Sequence, residues 1–160
     1  MGEKQDKYNR SYPISWEQLH RDSKALSWRL HDRENPWKGI VAITRGGLVP
    51  AAIIARELGI HYIDTVCITS YDWKSQGETK VLKPVEGSGE DLLIIDDLVD
   101  TGATAKVVRN MLPDAYFATV YAKPAGKPLV DAYVTEVSQD TWILFPWDSE
   151  SQFVEPIVRK

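Results

Sequence analysis

The sequence predicts an α/β domain, a central parallel sheet flanked by helices. Two observations carry that prediction. The apolar runs 39–44, 92–95 and 116–122 lack polar alternation, which marks strands buried on both faces. The first two run directly into loops of small residues that open helices, so strand and helix alternate along the chain. In such a sheet ligands bind beyond the carboxyl ends of the strands. Arg45, Asp96, Asp97 and Lys123 all stand at strand ends of this kind.

The 160 residues suit one domain with a real core, expected over 13–160, behind a flexible N-terminal tail over 1–12. Apolar content of 43% and charged content of 26% are ordinary for a globular protein. A net charge of −4 gives no help to nucleic-acid or anionic-membrane binding, and no nucleic-acid partner is expected. No apolar run reaches the roughly 20 residues of a membrane span, and no signal peptide is evident. Cys67 is the only cysteine, so no internal disulfide forms and a reducing cytoplasm fits; within its apolar run it reads as a small core residue.

In chain order, Ser15 and Gln18 make a capping-box pattern, with Ile14 and Leu19 placed as a hydrophobic staple. Trp16, Leu19, Leu26 and Leu30 share one face of the helix that follows, with Ser23 between them, and His20 and His31 read as solvated. After strand 39–44 come Arg45-Gly46-Gly47 and a helix over 48–58, with Pro50 in its first turn and Gly59 as its C-cap. A tight turn would explain the two glycines alone, but Arg45 beside them can offer a guanidinium and backbone N–H groups to an anion. Residues 62–70 alternate as a strand. The polar stretch 71–89 is long for a compact domain and reads as a mobile active-site loop. Strand 116–122 ends at Lys123-Pro124, and 129–137 reads as a further strand or strand pair.

The most informative stretch is 92–104, Leu-Leu-Ile-Ile-Asp-Asp-Leu-Val-Asp-Thr-Gly-Ala-Thr. Its strand ends on Asp96-Asp97, and Thr101-Gly102-Ala103-Thr104 opens a helix that runs to Leu112 and stops at Pro113. Small residues and hydroxyls at a helix start leave N–H groups facing outward, where the helix dipole favours an anion. The acid pair suits Mg²⁺ or sugar hydroxyls. An acid pair beside a phosphate cradle points to a phosphorylated sugar with a metal; simple capping by Thr104 or Asp100 is the plainer alternative. Further on, the Lys123 ammonium can donate to a carbonyl oxygen and the Trp142 indole can stack on a planar ring; a snorkelling lysine and a core tryptophan are the plain alternatives.

The 92–104 string resembles the signature of the type I purine phosphoribosyltransferases, which use phosphoribosyl pyrophosphate (PRPP). Residues 45–50, 123–126 and 141–143 extend the resemblance, in family order and spacing, over the chain from about residue 14 onward. It implies the type I fold, with a small hood formed by the terminal segments. It implies a purine salvage transferase that moves the 5-phosphoribosyl group from PRPP to N9 of guanine or xanthine, hypoxanthine less well, giving GMP or XMP and pyrophosphate. Mg²⁺, a homotetramer, and a cytoplasmic location with possible peripheral contact with the inner membrane are implied with it.

Residue by residue, the resemblance places pyrophosphate on Arg45, Gly46 and Gly47, often through a cis peptide, with Lys80 reaching PRPP from the lid. Asp96, Asp97, Val99, Asp100, Thr101, Gly102, Ala103 and Thr104 line the ribose and its 5′-phosphate. Asp100, near N7, is the acid/base residue. Lys123 meets the 6-oxo group, Trp142 stacks on the base, and Ile143 presents backbone groups to the 2-substituent. Asp97 and Asp148 are the metal candidates. Two positions depart from the pattern. Gly77 replaces a lid arginine, leaving Lys74 or Lys80 to substitute without a bidentate fork. Ala103 stands where a second glycine is common, which a negative φ would accommodate. The rival readings are a hypoxanthine-guanine enzyme that does not use xanthine, a regulator that keeps the fold but binds RNA or DNA, and a receiver-type signalling domain.

Overall fold

The computed structural model describes residues 10–33, 36–71, 78–148 and 154–159. A six-stranded sheet has the order β4-β3-β2-β5-β6-β7, formed by β2 (Gly39–Thr44), β3 (Ile63–Tyr71), β4 (Glu78–Lys83), β5 (Leu92–Val99), β6 (Tyr116–Ala122) and β7 (Thr135–Glu136). All its pairings are parallel except β3 with the edge strand β4. Helices α1 (Trp16–His31), α2 (Leu48–Leu58) and α3 (Ala103–Met111) complete the layers.

Side chains alternate across each central strand and fill two cores. Ile40, Ala42, Leu93, Ile95, Ala118 and Val120 face Leu19, Leu26 and Leu30 of α1 and Ala51 and Ile54 of α2. Val41, Ile43, Ile94 and Phe117 face Ala105 and Val108 of α3 and Leu112 beyond it. Both faces are apolar, which accounts for the unbroken apolar runs. Gly59 ends α2 at φ 67°, the left-handed conformation expected of a C-cap glycine.

A second, two-stranded sheet pairs β1 (Arg10–Pro13) with β8 (Thr141–Leu144) in parallel, Arg10 opposite Thr141 and Pro13 opposite Leu144. This sheet of near-terminal segments forms the hood. It corrects the expected tail: residues 10–12 are a strand, because their backbone groups find partners on β8, while 1–9 lie outside the described residues. The 71–89 loop is likewise partly strand. Residues 78–83 return as β4 along the edge of β3, with Ser70 opposite Thr79 and Cys67 opposite Lys83. The charged, largely exposed side chains of β4 are those of an edge strand, which is why its sequence looks like loop. Residues 72–77, with Lys74 and Gly77, lie outside the described residues.

Smaller differences are local. Of 129–137 only Thr135–Glu136 pairs as a strand, and Lys127–Leu129 is a 3₁₀ turn. Ser15 caps α1 by accepting from the Gln18 N–H at 3.1 Å, but the Gln18 side chain turns to the Tyr12 hydroxyl instead of closing a capping box. Trp16 is 55% exposed and meets Trp147 edge-on, so it serves the hood and not the core face of α1. His20 and His31 are exposed, as expected, and Cys67 is only half-buried.

Candidate active site

Two strand-to-helix junctions stand side by side at the carboxyl edge of the sheet, because β2 and β5 are neighbours. At the first, β2 passes into Arg45-Gly46-Gly47 and α2; the Thr44–Arg45 peptide is cis. Gly47 is the N-cap of α2 and contributes no side-chain cap. At the second, Gly102 caps α3 at φ 91°, again with no side-chain cap, so neither Thr104 nor Asp100 performs the capping the plainer reading assigns. Two helix N-termini with small residues thus open at one edge, each with the positive end of its dipole outward. Asp91 is the only non-glycine with positive φ among the described residues, so Ala103 fits as the first residue of α3.

The two junctions touch. A side chain at Gly46 would overlap the Asp97 carboxylate, and one at Gly47 would overlap the carbonyls of Ile43 and Ile95. Glycine at both positions lets the Arg45 loop lie directly on the end of β5. There the acids crowd: Asp96 and Asp97 are half-buried neighbours, and Asp96 Oδ1 accepts the Asp97 N–H at 2.8 Å. Burial, then the charge of Asp97, holds the Asp96 carboxyl well above the ordinary carboxylate range. Burial pushes Asp97 up to about 6; hydrogen bonds from Asp96 and the Leu98 N–H oppose the rise, and the nearby Asp148 charge adds to it. Asp148, in the turn after β8, is raised mainly by burial, against a hydrogen bond from the Phe145 N–H and the attraction of Arg45. Asp148 therefore stands within electrostatic reach of both Arg45 and Asp97.

Sheet register builds the other half. Val99 is paired with Ala122, so Asp100 and Lys123 each lie one residue past a matched strand end. The Lys123 N–H donates to the Val99 carbonyl at 2.9 Å, and its ammonium donates to Asp100 Oδ2 at 3.1 Å. The Lys123 side chain is 2% exposed and that of Asp100 35%. A lysine buried so deeply is held by its partner and not by snorkelling to water. Gly126 lies against Val99 and the Asp100 carbonyl, which folds the 123–126 turn over the end of β5. Trp142 is half-buried and Ile143 buried, both on β8 of the hood.

The fold thus gathers Arg45, Gly46, Gly47, Asp96, Asp97, Asp148 and the Val99–Thr104 loop with Lys123 at one edge. Lys80 is not brought in: it lies on β4 opposite Thr69, exposed and two strands from the end of β2. One residue went unnoticed in the sequence. Gln139, just before β8, donates from Nε2 to Asp100 Oδ1 at 2.7 Å and accepts the Ala125 N–H on Oε1 at 2.9 Å. A glutamine in a polar turn carries no signal of a partner 39 positions away.

The site accommodates a hard divalent cation. Mg²⁺ is commonly held by one or two carboxylates together with substrate phosphates and water. Among the described residues no group of three or more His, Cys, Asp or Glu side chains is placed to hold a metal by itself. Asp96, Asp97 and Asp148 bring carboxyl groups to this edge, each raised mainly by burial, and a bound cation would favour their ionised forms.

A phosphoribosyl transferase domain model matches residues 15–153. A xanthine-guanine phosphoribosyltransferase of Desulfotalea psychrophila is 70% identical over 154 residues, 96% of each chain. One of Nitratidesulfovibrio vulgaris is 68% identical over 156 residues, 97% of this chain and 95% of that one. In a solved structure, the purine phosphoribosyltransferase of Pyrococcus horikoshii superimposes with a TM-score of 0.76 at 27% identity, covering 91% of this chain and 98% of the other. The chain belongs to the phosphoribosyltransferase family.

Proposed function

We propose that this chain is a purine salvage enzyme that transfers the phosphoribosyl group of PRPP to N9 of guanine or xanthine, and less well to hypoxanthine. GMP or XMP and pyrophosphate are the products. The observation that carries the substrate class is the buried Lys123 ammonium donating to Asp100, two residues before the N-cap glycine of α3. The names of the 68–70% identical relatives support the choice of bases.

In this reading the 5′-phosphate lies on the N–H groups of 101–104, and Asp96 and Asp97 border the ribose. Arg45 and the two glycines after it take the pyrophosphate. The base stacks on Trp142, gives its 6-oxo group to Lys123 and its 2-substituent to the backbone at Ile143. N9 attacks C1 of the ribose while the bond from C1 to pyrophosphate breaks. Asp100 takes the proton the base must lose, a contribution of about 10²–10⁴-fold. Asp97 and Asp148 are the protein oxygens that would hold Mg²⁺, which when bound offsets charge on the departing pyrophosphate. Lys123 faces the adenine amino group donor to donor, which excludes adenine. A homotetramer, a cytoplasmic location and peripheral contact with the inner membrane complete the proposal, on family resemblance alone. No helix among the described residues is long and apolar enough to cross a membrane.

The test is the ultraviolet absorbance change when enzyme, PRPP and Mg²⁺ meet guanine, xanthine, hypoxanthine or adenine in turn. Turnover with guanine and xanthine and none with adenine is expected. Folded protein that binds PRPP yet turns over no base would overturn the reading in favour of a non-catalytic regulator.

A further inference from the structure

We propose that Gln139 is the positioning residue for Asp100, fixing the rotation of its carboxylate; the proposal rests on the acid/base reading of Asp100 given above. The two oxygens of Asp100 receive donors from different segments. Oδ2 takes the Lys123 ammonium at 3.1 Å, and Oδ1 takes the Gln139 amide at 2.7 Å. The far end of that amide accepts the Ala125 N–H at 2.9 Å, which settles which end is nitrogen and which is oxygen. Gln139 therefore ties the carboxylate to the backbone of the 123–126 turn.

The segment carrying Gln139 is itself pinned. The Thr141 N–H donates to the Ser138 carbonyl at 3.1 Å, and the Ser138 hydroxyl meets Asp140 Oδ1 at 2.7 Å and the Thr141 hydroxyl at 2.6 Å. Trp142 and Ile143 follow immediately on β8. One short turn thus sets both the strand that presents the base-binding residues and the orientation of the group that exchanges a proton with the base. A single donor on one oxygen restrains rotation about the bond to Cβ less than donors on both oxygens do. The second donor on the other oxygen narrows that rotation, and pre-set geometry of this kind is a large part of catalytic rate.

Two variants in the full chain separate positioning from mere packing. Gln139→Met keeps the volume and removes both hydrogen bonds. Gln139→Glu keeps the acceptor for Ala125 but donates to Asp100 only when protonated. We expect Gln139→Met to lower kcat with guanine about tenfold to a hundredfold, with KM for PRPP unchanged, as for loss of a hydrogen bond to a charged group. Gln139→Glu should fall below Gln139→Met at pH 8, where two carboxylates face each other, and rise above it near pH 5 relative to wild type at each pH. Wild-type kcat in Gln139→Met, or loss in both variants with no pH-dependent crossover, would overturn the proposal. Asp100→Ala in the same assay keeps the two readings apart. If Asp100→Ala is impaired and Gln139→Met is not, only the positioning role fails; wild-type kcat in Asp100→Ala removes the acid/base assignment and the positioning role with it.

Discussion

Strand β5 ends in two acidic regions that have opposite electrostatic situations. At Asp96 and Asp97 burial raises both carboxyls; the charge of Asp97 raises Asp96 further, and the nearby acid Asp148 raises Asp97. Three residues on, Asp100 is already answered by a buried lysine and a glutamine amide. The difference teaches where each positive charge comes from. At the first region, in the function proposed above, the charge would arrive with the metal that accompanies the substrate. At the second the protein supplies the charge itself, so its geometry exists before the base binds. One region is completed by ligand binding and the other is preorganised.

The strongest way to break this contrast is Asp100→Ala, expected to lower kcat with guanine by about 10²–10⁴-fold while leaving PRPP binding in place. Steady-state kinetics and calorimetric titration with PRPP check it; an equal loss of PRPP affinity would mean Asp100 belongs with the ligand-completed region. Next comes Lys123→Met, for which about a 10–100-fold fall in kcat/KM for guanine is expected from the lost charged donor. Its discrimination against adenine should narrow as well, since the opposing donor is gone.

The third prediction concerns pH. With Asp97 near 6 when folded and about 3.9 when unfolded, the folded state holds more protons between those values. Stability without Mg²⁺ therefore falls as pH rises through that window, and Asp97→Asn should flatten the fall in thermal melts. Mg²⁺-dependent binding of PRPP should weaken about tenfold per unit below pH 6 in wild type as protons compete for the carboxylate. A slope unchanged in Asp97→Asn would assign the titration elsewhere. The smallest effect comes from an acid away from the site, Asp64, paired with Lys83 at 2.9 Å across β3 and β4. That lysine, then the Thr65 N–H, holds the Asp64 carboxyl below its ordinary value, so the stability it contributes is present at neutral pH and lost on acidification. The pair is partly exposed, and Lys83→Ala should cost under about 1 kcal/mol, with turnover unchanged.

What could be read from the sequence divides along the same line. The strands buried on both faces and both strand-to-helix junctions were legible because each is a local pattern: an apolar run, then glycine, then a helix. Lys123 was legible as a strand-end residue, whereas the acid pair, expected to end its strand, lies within β5, which runs on to Val99. The contact between Asp100 and Lys123 was not, because it depends on Val99 pairing with Ala122, a register that no local pattern states. Gln139 was missed for the same reason. Strand β4 looks like loop in the sequence because an edge strand with charged, exposed side chains has no apolar period. Trp16 fell on the core stripe of α1 by spacing, yet its ring turned to Trp147, a partner that exists only once the hood is in place.

The pairing of β1 with β8 has a consequence for the order in which the protein is made. Arg10 emerges from the ribosome long before Thr141, and the two must wait for each other across nearly the whole chain. The β2–β5 layers can assemble earlier, from segments close in sequence, whereas so distant a closure is the slow kind. The strand that bears Trp142 and Ile143 gains its neighbour only at that closure. During synthesis, then, the neighbouring β2 and β5 junctions can form before β8, with Trp142 and Ile143, has its partner strand.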